Sequence, residues 1–246
     1  MTLRADQRAP NQLREIAFTP DYQLHPAGSV LVACGRTRVI CAVTTVDGVP
    51  RWMRDQRVPG GWLTAEYQML PGATGRRKQR PSSASRADGR NLEIQRLVGR
   101  SLRAVMDLER LPAKTLHVDC DVLDADGGTR CAAVTGAAVA LEIALKRLFG
   151  AGEINDWPLR ERVAAVSAGV VDGQVLLDLA YAEDVAAEVD MNIVMTASGR
   201  FVEIQGTAEI APFERAQMDG MLDLATQGLT EIFALQKQVV EAHAQP

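Results

Sequence analysis

Twice along its 246 residues the chain writes the same succession of signals, and that repetition constrains its fold more than any other feature. In the first half, residues 28–34 and 37–43 are β-rich runs around Gly35-Arg36, the pattern of a hairpin. In the second half, residues 163–171 and 174–179 flank Asp172-Gly173, a dipeptide suited to the tight turn whose twist matches that of paired strands. A further extended stretch follows each hairpin. It is residues 62–67 in one case and a second hairpin, 191–195 with 201–204 around Ser198-Gly199, in the other. A long helical period then closes each unit. One runs over about 91–108, with Ile94, Leu97, Val98, Leu102, Val105 and Met106 on its apolar stripe; the other runs over about 212–242, with Met218, Met221, Leu222, Leu229 and Ile232. Between the two units, residues 116–122 alternate apolar and polar as a half-buried strand does, and the Ala-rich stretch 131–148 predicts a mostly buried helix. Together these signals predict an α+β fold: one domain over 1–246, composed of two related halves at about 10–115 and 116–240.

With 47% hydrophobic residues the chain has enough apolar surface to bury a core, which excludes a disordered segment. No run of about 18 apolar residues occurs, and no apolar segment follows the charges of the first eight residues, so we expect a cytoplasmic protein without a membrane partner. Cys34, Cys41, Cys120 and Cys131 contain no C-x-x-C pair and read as core thiols. His25, His117 and His243 are too scattered to suggest a zinc helix.

Three groups of residues carry potential chemistry. Residues 76–103 hold nine basic and two acidic side chains in a chain of net charge -4. They include Arg76, Arg77, Lys78 and Arg80, then Arg86 and Arg90 of an aperiodic stretch 71–90, then Arg96, Arg100 and Arg103 on one face of the following helix. This is either a solvated loop and helix face or a surface that neutralises phosphates. The second group, Asp126-Gly127-Gly128-Thr129-Arg130, joins a strand to a helix. It reads either as a plain turn with Thr129 as N-cap, or as an anion site made of backbone N–H groups, a hydroxyl and a guanidinium fork. The third is Glu183-Asp184 with Glu188 and Asp190. It is either an acidic solvated loop or a carboxylate set able to hold Mg²⁺ and to supply a general acid; Asp190 favours the latter because it opens an apolar strand.

Several ordered motifs resemble those of the ribonuclease PH family. They are Leu63-Thr64-Ala65-Glu66-Tyr67-Gln68-Met69-Leu70-Pro71, Gly89-Arg90 with Glu93-Ile94-Gln95-Arg96-Leu97-Val98-Gly99-Arg100, Asp119-Cys120-Asp121-Val122 with the Gly127-Gly128 turn, Asp190-Met191-Asn192, and Gln205-Gly206-Thr207-Ala208-Glu209. The likeness spans about residues 4–238. It implies the two-halved β-α fold of ribosomal protein S5 domain 2-like type, shared with polynucleotide phosphorylase and exosome rings. It also implies a phosphate-dependent 3′-to-5′ exoribonuclease that trims the 3′ ends of tRNA precursors, with nucleotidyltransferase activity in reverse, and a homohexamer built as a trimer of dimers. Carried over by position, Arg90, Gly128, Thr129 and Arg130 bind the co-substrate, inorganic phosphate. Asp184 and Asp190 are the catalytic carboxylates and the Mg²⁺ ligands, while Arg76, Arg77 and Arg80 contact RNA. The sequence departs from the family pattern at Gly72, where an arginine is usual, and at Arg4-Ala5-Asp6-Gln7-Arg8, where the pattern is Arg-Pro-x-Gly-Arg. The alternative is a catalytically inactive ring subunit that only threads RNA.

Overall fold

The computed structural model describes residues 4–80 and 88–243. Strands β1 (Ile16–Pro20), β2 (Gly28–Cys34), β3 (Thr37–Asp47), β4 (Trp62–Met69) and β5 (Lys114–Asp124) form one sheet in the order β1-β2-β3-β5-β4. Its pairs are antiparallel except for β4 and β5, which run parallel and are joined through helix α2 (Gly89–Ala104). A second, wholly antiparallel sheet has the order β7-β6-β8-β9, from β6 (Val163–Val171), β7 (Gln174–Leu177), β8 (Val189–Thr196) and β9 (Phe201–Ala208). Helix α1 (Arg51–Gln56) follows β3, helix α3 (Thr129–Gly150) leads from the first sheet to the second, α4 (Tyr181–Ala186) links β7 to β8, and α5 (Arg215–Ala242) packs on β6 and β7. Among the described residues no helix is long and apolar enough to cross a membrane.

The α+β fold and all three hairpins follow the sequence pattern, but the division between halves does not fall at 115/116. The strand placed at the start of the second half is β5, and it pairs with β3 on one side and β4 on the other, inside the first sheet. The sheets are separated instead by α3, which lies against β2 and β3 and also against β6. That position explains its composition. A helix covered on opposite sides has no solvent face to fill with charges, so Ala, Val and Leu run all round it. Small residues set the spacing: a Cβ on Gly136 would lie 2.6 Å from Val32 Cγ1 and 2.8 Å from Cys41 Sγ, and one on Gly28 only 2.3 Å from the Ala140 carbonyl oxygen. Larger side chains on the same helix, Leu141, Ile143 and Leu145, are fully buried, each contributing about 1.5–3 kcal/mol by leaving water. All four cysteines are buried and free.

Other expectations change in detail. Arg90 lies in the first turn of α2, whose N-cap Asp88 accepts a hydrogen bond from the Arg90 backbone N–H, so it is not the end of a loop. Glu183 and Asp184 sit on α4. The three arginines of α2 part company. Arg103 donates to the Leu63 carbonyl at 3.0 Å and stacks 5.1 Å above Trp62, Arg100 pairs with Glu203 at 2.7 Å, and Arg96 is exposed.

Candidate active site

The turn between β5 and α3 is built around two glycines in the left-handed region, Gly127 at φ 79° and Gly128 at φ 65°. A side chain has no room at either. A Cβ on Gly127 would stand 2.7 Å from both the Leu179 carbonyl oxygen and the Tyr181 nitrogen, and one on Gly128 would stand 2.9 Å from Arg14 Nη2. Gly128, not Thr129, is the N-cap of α3. Thr129 is the first helical residue; its buried hydroxyl accepts a hydrogen bond from Tyr67 at 2.9 Å. The helix thereby opens with unpaired N–H groups and the positive end of its dipole beside Arg130.

That helix start lines a polar cleft of about 290 Å³. Arg90 and Glu93 reach it from α2, Asp184 from α4, Asp190 and Asn192 from β8, and Gln205, Thr207 and Glu209 from β9 and just after it. The structure thus brings together Arg90, Gly128, Thr129, Arg130, Asp184 and Asp190, drawn from both halves of the chain. Arg76, Arg77 and Arg80 lie apart from them, exposed on the segment after β4, whose base is tied down by the Ala73 carbonyl accepting from the Ala125 N–H at 2.9 Å. Arg86 lies outside the described residues.

Electrostatically the cleft is divided. Burial, and then the charge of Asp184, push the Asp190 carboxyl up to about 6, against the pull of Arg130 and of a 3.2 Å hydrogen bond from Asn192 Nδ2. Asp184 is also raised, by desolvation and by Glu209, although Arg90 and Arg130 act the other way. Two carboxylates that repel each other beside two guanidinium groups make a site that gains from a cation between the acids and an anion at the arginines. Among the described residues no third His, Cys, Asp or Glu completes a closed metal cage. A pair of hard oxygen donors fits Mg²⁺, which keeps several waters and takes one or two carboxylates together with substrate phosphate oxygens.

Residues absent from the sequence reading hold the site in shape. Arg14 Nη2 and Nε reach Asp178 Oδ1 and Oδ2 at 2.6 and 3.0 Å, the Arg14 backbone N–H adds a third bond at 2.8 Å, and Arg14 Nη1 donates to the Asp126 carbonyl at 2.6 Å. Burial alone would raise the Asp178 carboxyl, but the Arg14 fork, with Arg8 behind it, holds it below the usual carboxylate range. Ser167 accepts from the Leu179 N–H at 3.1 Å. On the open side, Arg130 Nη1 donates to Gln205 Oε1 at 2.8 Å and to Glu93 Oε1 at 3.3 Å. The only sequence signal for the Arg14–Asp178 pair was a buried-strand pattern broken by one Asp after Leu177, which does not name a partner.

Residues 12–146 match the model of the 3′ exoribonuclease family, domain 1, and residues 161–228 match domain 2 of the same family. Among solved structures, Rrp46 of rice (Oryza sativa) is 20% identical with a TM-score of 0.77, the match covering 97% of this chain and 100% of that one. A chain of the Archaeoglobus fulgidus exosome with RNA bound to the active site is 23% identical with a TM-score of 0.76, over 94% of this chain and 92% of that one. A chain of an archaeal exosome core is 21% identical with a TM-score of 0.73, over 98% and 91%. At these identities the likeness is one of fold.

Proposed function

Since the chain belongs to the 3′ exoribonuclease family of ribonuclease PH, we propose that it shortens RNA from the 3′ end by phosphorolysis. The observation that carries this reading is the pairing, in one polar cleft, of an anion site at the start of α3 with two carboxylates on α4 and β8. Arg90, Arg130, the Thr129 hydroxyl and the Gly128 turn hold inorganic phosphate. One of its oxygens attacks the last phosphodiester in line; a new P–O–P link forms, the bond to the 3′ oxygen breaks, and that oxygen takes a proton from one of the two carboxyls. The products are a nucleoside 5′-diphosphate and RNA one residue shorter. An ester is exchanged for an anhydride of the attacking phosphate, so nucleoside diphosphates drive the reverse addition. Asp184 and Asp190 are the residues that would hold Mg²⁺, which when bound supplies charge compensation for the reacting phosphoryl. The exposed Arg76, Arg77 and Arg80 guide the RNA strand by phosphate contacts. The substrates we propose are the 3′ ends of tRNA precursors in the cytoplasm, and the working form is a homohexamer, a trimer of dimers, measurable by native mass.

Incubation with a 3′-extended RNA and Mg²⁺, with and without phosphate, tests this reading. Diphosphates that appear only with phosphate support it. Monophosphates would mean hydrolysis, and no mononucleotide would leave an RNA-threading ring subunit. In the same assay Asp184→Asn is expected to lower kcat by about 10²–10³-fold with RNA binding intact, the scale of a lost transition-state contact. Equal losses of binding and rate would remove Asp184 from the chemistry.

Glu93 occupies part of the donor set that phosphate needs, through its contact with Arg130. With Glu93 half-exposed, the pair is worth about 0.2–1 kcal/mol. Glu93→Gln is therefore expected to lower the phosphate KM about two- to fivefold, and a raised KM would instead assign Glu93 a part in binding.

A further inference from the structure

The reaction described above makes no use of the N-terminal segment, yet among the described residues the most heavily bonded guanidinium groups are found there. Its turn is closed by the Gln7 N–H donating to the Arg4 carbonyl at 2.8 Å, with Gln7 itself in the left-handed region at φ 64°. The Arg4 side chain is only 2% exposed and uses its fork in full. Nε and Nη2 reach Glu183 Oε1 and Oε2, each at 2.6 Å, Nη2 also reaches the Asp178 carbonyl at 2.9 Å, and Nη1 reaches the Leu177 carbonyl at 2.8 Å. Glu183 Oε2 in turn accepts from the Ala180 N–H at 2.8 Å, at the start of α4. A single bidentate pair therefore binds the N-terminal segment, the end of β7 and the first turn of α4.

Helix α4 needs such a fixture. It has six residues, too few to be stable by itself, and none of them is buried; its apolar anchors, Leu179 and Ala187, lie just outside it and leave the helix's own facing unset. Successive residues on a helix point about 100° apart. Glu183 faces the N-terminal segment, and its neighbour Asp184 faces the cleft. We propose that Arg4 and Glu183 are positioning residues that fix α4 so that Asp184 is presented to the reacting phosphoryl. The inference rests on the reading of Asp184 as a catalytic carboxylate. Arg8 joins the Arg4–Glu183 pair to the Arg14–Asp178 pair, reaching Glu183 Oε2 and Asp178 Oδ2 at 3.5 Å each, but the latter pair braces the glycine turn and makes no contact with Glu183.

The test is steady-state phosphorolysis by the full chain as wild type, Glu183→Gln and Arg4→Lys, with KM for phosphate and for RNA measured in each, and amide hydrogen exchange on the same proteins. Lysine keeps the charge and loses the fork, so it serves as the milder variant should the first fold poorly. Misplacing a reacting group by about 1 Å costs about 100-fold. We expect kcat of Glu183→Gln to fall by about that factor and that of Arg4→Lys by about tenfold, with both KM values within about twofold. Amides of α4 should exchange faster while those of β6 keep their protection. Unchanged kcat in both variants, or a loss of protection spread evenly over α4 and β6, overturns the inference while leaving wild-type phosphorolysis standing. Absence of diphosphate product from the wild type overturns the reading of Asp184 and the inference with it.

Discussion

Asp190→Asn is expected to abolish phosphorolysis and at the same time to raise the melting temperature of the metal-free protein. In the folded chain the carboxyl titrates at about 6 instead of its ordinary 3.8, because burial and Asp184 disfavour its charge. A raised folded value means that the native state holds a proton which the unfolded chain has released. Stability is then lost as pH climbs from about 4 to about 6, and the loss is complete above that. At pH 7.5 the ionised Asp190 costs about 2 kcal/mol once the water in the cleft is allowed for. The neutral amide removes that cost and keeps an oxygen for the Asn192 contact. For a chain of this length the gain corresponds to a rise of about 4–8 °C in Tm. Melting in EDTA at pH 7.5 and again near pH 4 checks both sign and origin, since the advantage of the variant should vanish at the lower pH. Adding Mg²⁺ should then raise Tm of the wild type more than that of the variant. A variant that melts at or below the wild type at pH 7.5 would show that the cleft does not strain its own carboxylates.

The opposite outcome is expected at the buried pair behind the glycine turn. Arg14→Ala leaves the Asp178 carboxylate, 8% exposed, without its principal partner and frees the Asp126 carbonyl that Arg14 also holds. Breaking a buried pair from one side costs about 3–5 kcal/mol. Asp178 sits at φ 54°, a conformation that Asn tolerates as well as Asp, so Asp178→Asn isolates the loss of charge from backbone strain. Because Arg14 holds the folded carboxyl below the usual range, its contribution is present above the unfolded value and lost as pH falls through the folded one. The Asn variant should therefore unfold at lower denaturant concentration at pH 7, and show a weaker loss of stability between pH 5 and acid than the wild type does. Where either variant folds, the phosphate KM should rise, since the turn that presents Gly128 and Arg130 has lost its brace. A stable Arg14→Ala with an unchanged KM would detach the pair from the site.

These two residues also mark what the sequence could and could not disclose. Hairpins were readable because Asp172-Gly173 and Ser198-Gly199 state their turns locally, and α3 because its residues are apolar at every angle. The cleft was readable as separate motifs, since Gly127-Gly128 and the Glu183-to-Asp190 stretch each carry their chemistry in a few consecutive letters. By contrast, Arg14 meets Asp178 across 164 residues and Arg4 meets Glu183 across 179, and no local pattern encodes such a pairing. Helix α4 and strand β1 escaped notice because six and five residues are too few to display a period. The sheet to which β5 belongs is not legible locally, because one of its partners is the parallel strand β4, which lies on the far side of α2 in the chain.

The position of α3 has a consequence for how the protein comes into being. During synthesis its 22 residues emerge well before β6, β8 and α5, which supply the second wall against which it lies. Until residues 163–240 have left the ribosome, a helix with no charge between Cys131 and Leu141 presents an oily flank to whatever is nearby. An isolated fragment ending at α3 should accordingly clump rather than stay monomeric, while the finished chain should melt in one cooperative step, because each sheet lays one of its faces against the helix they share.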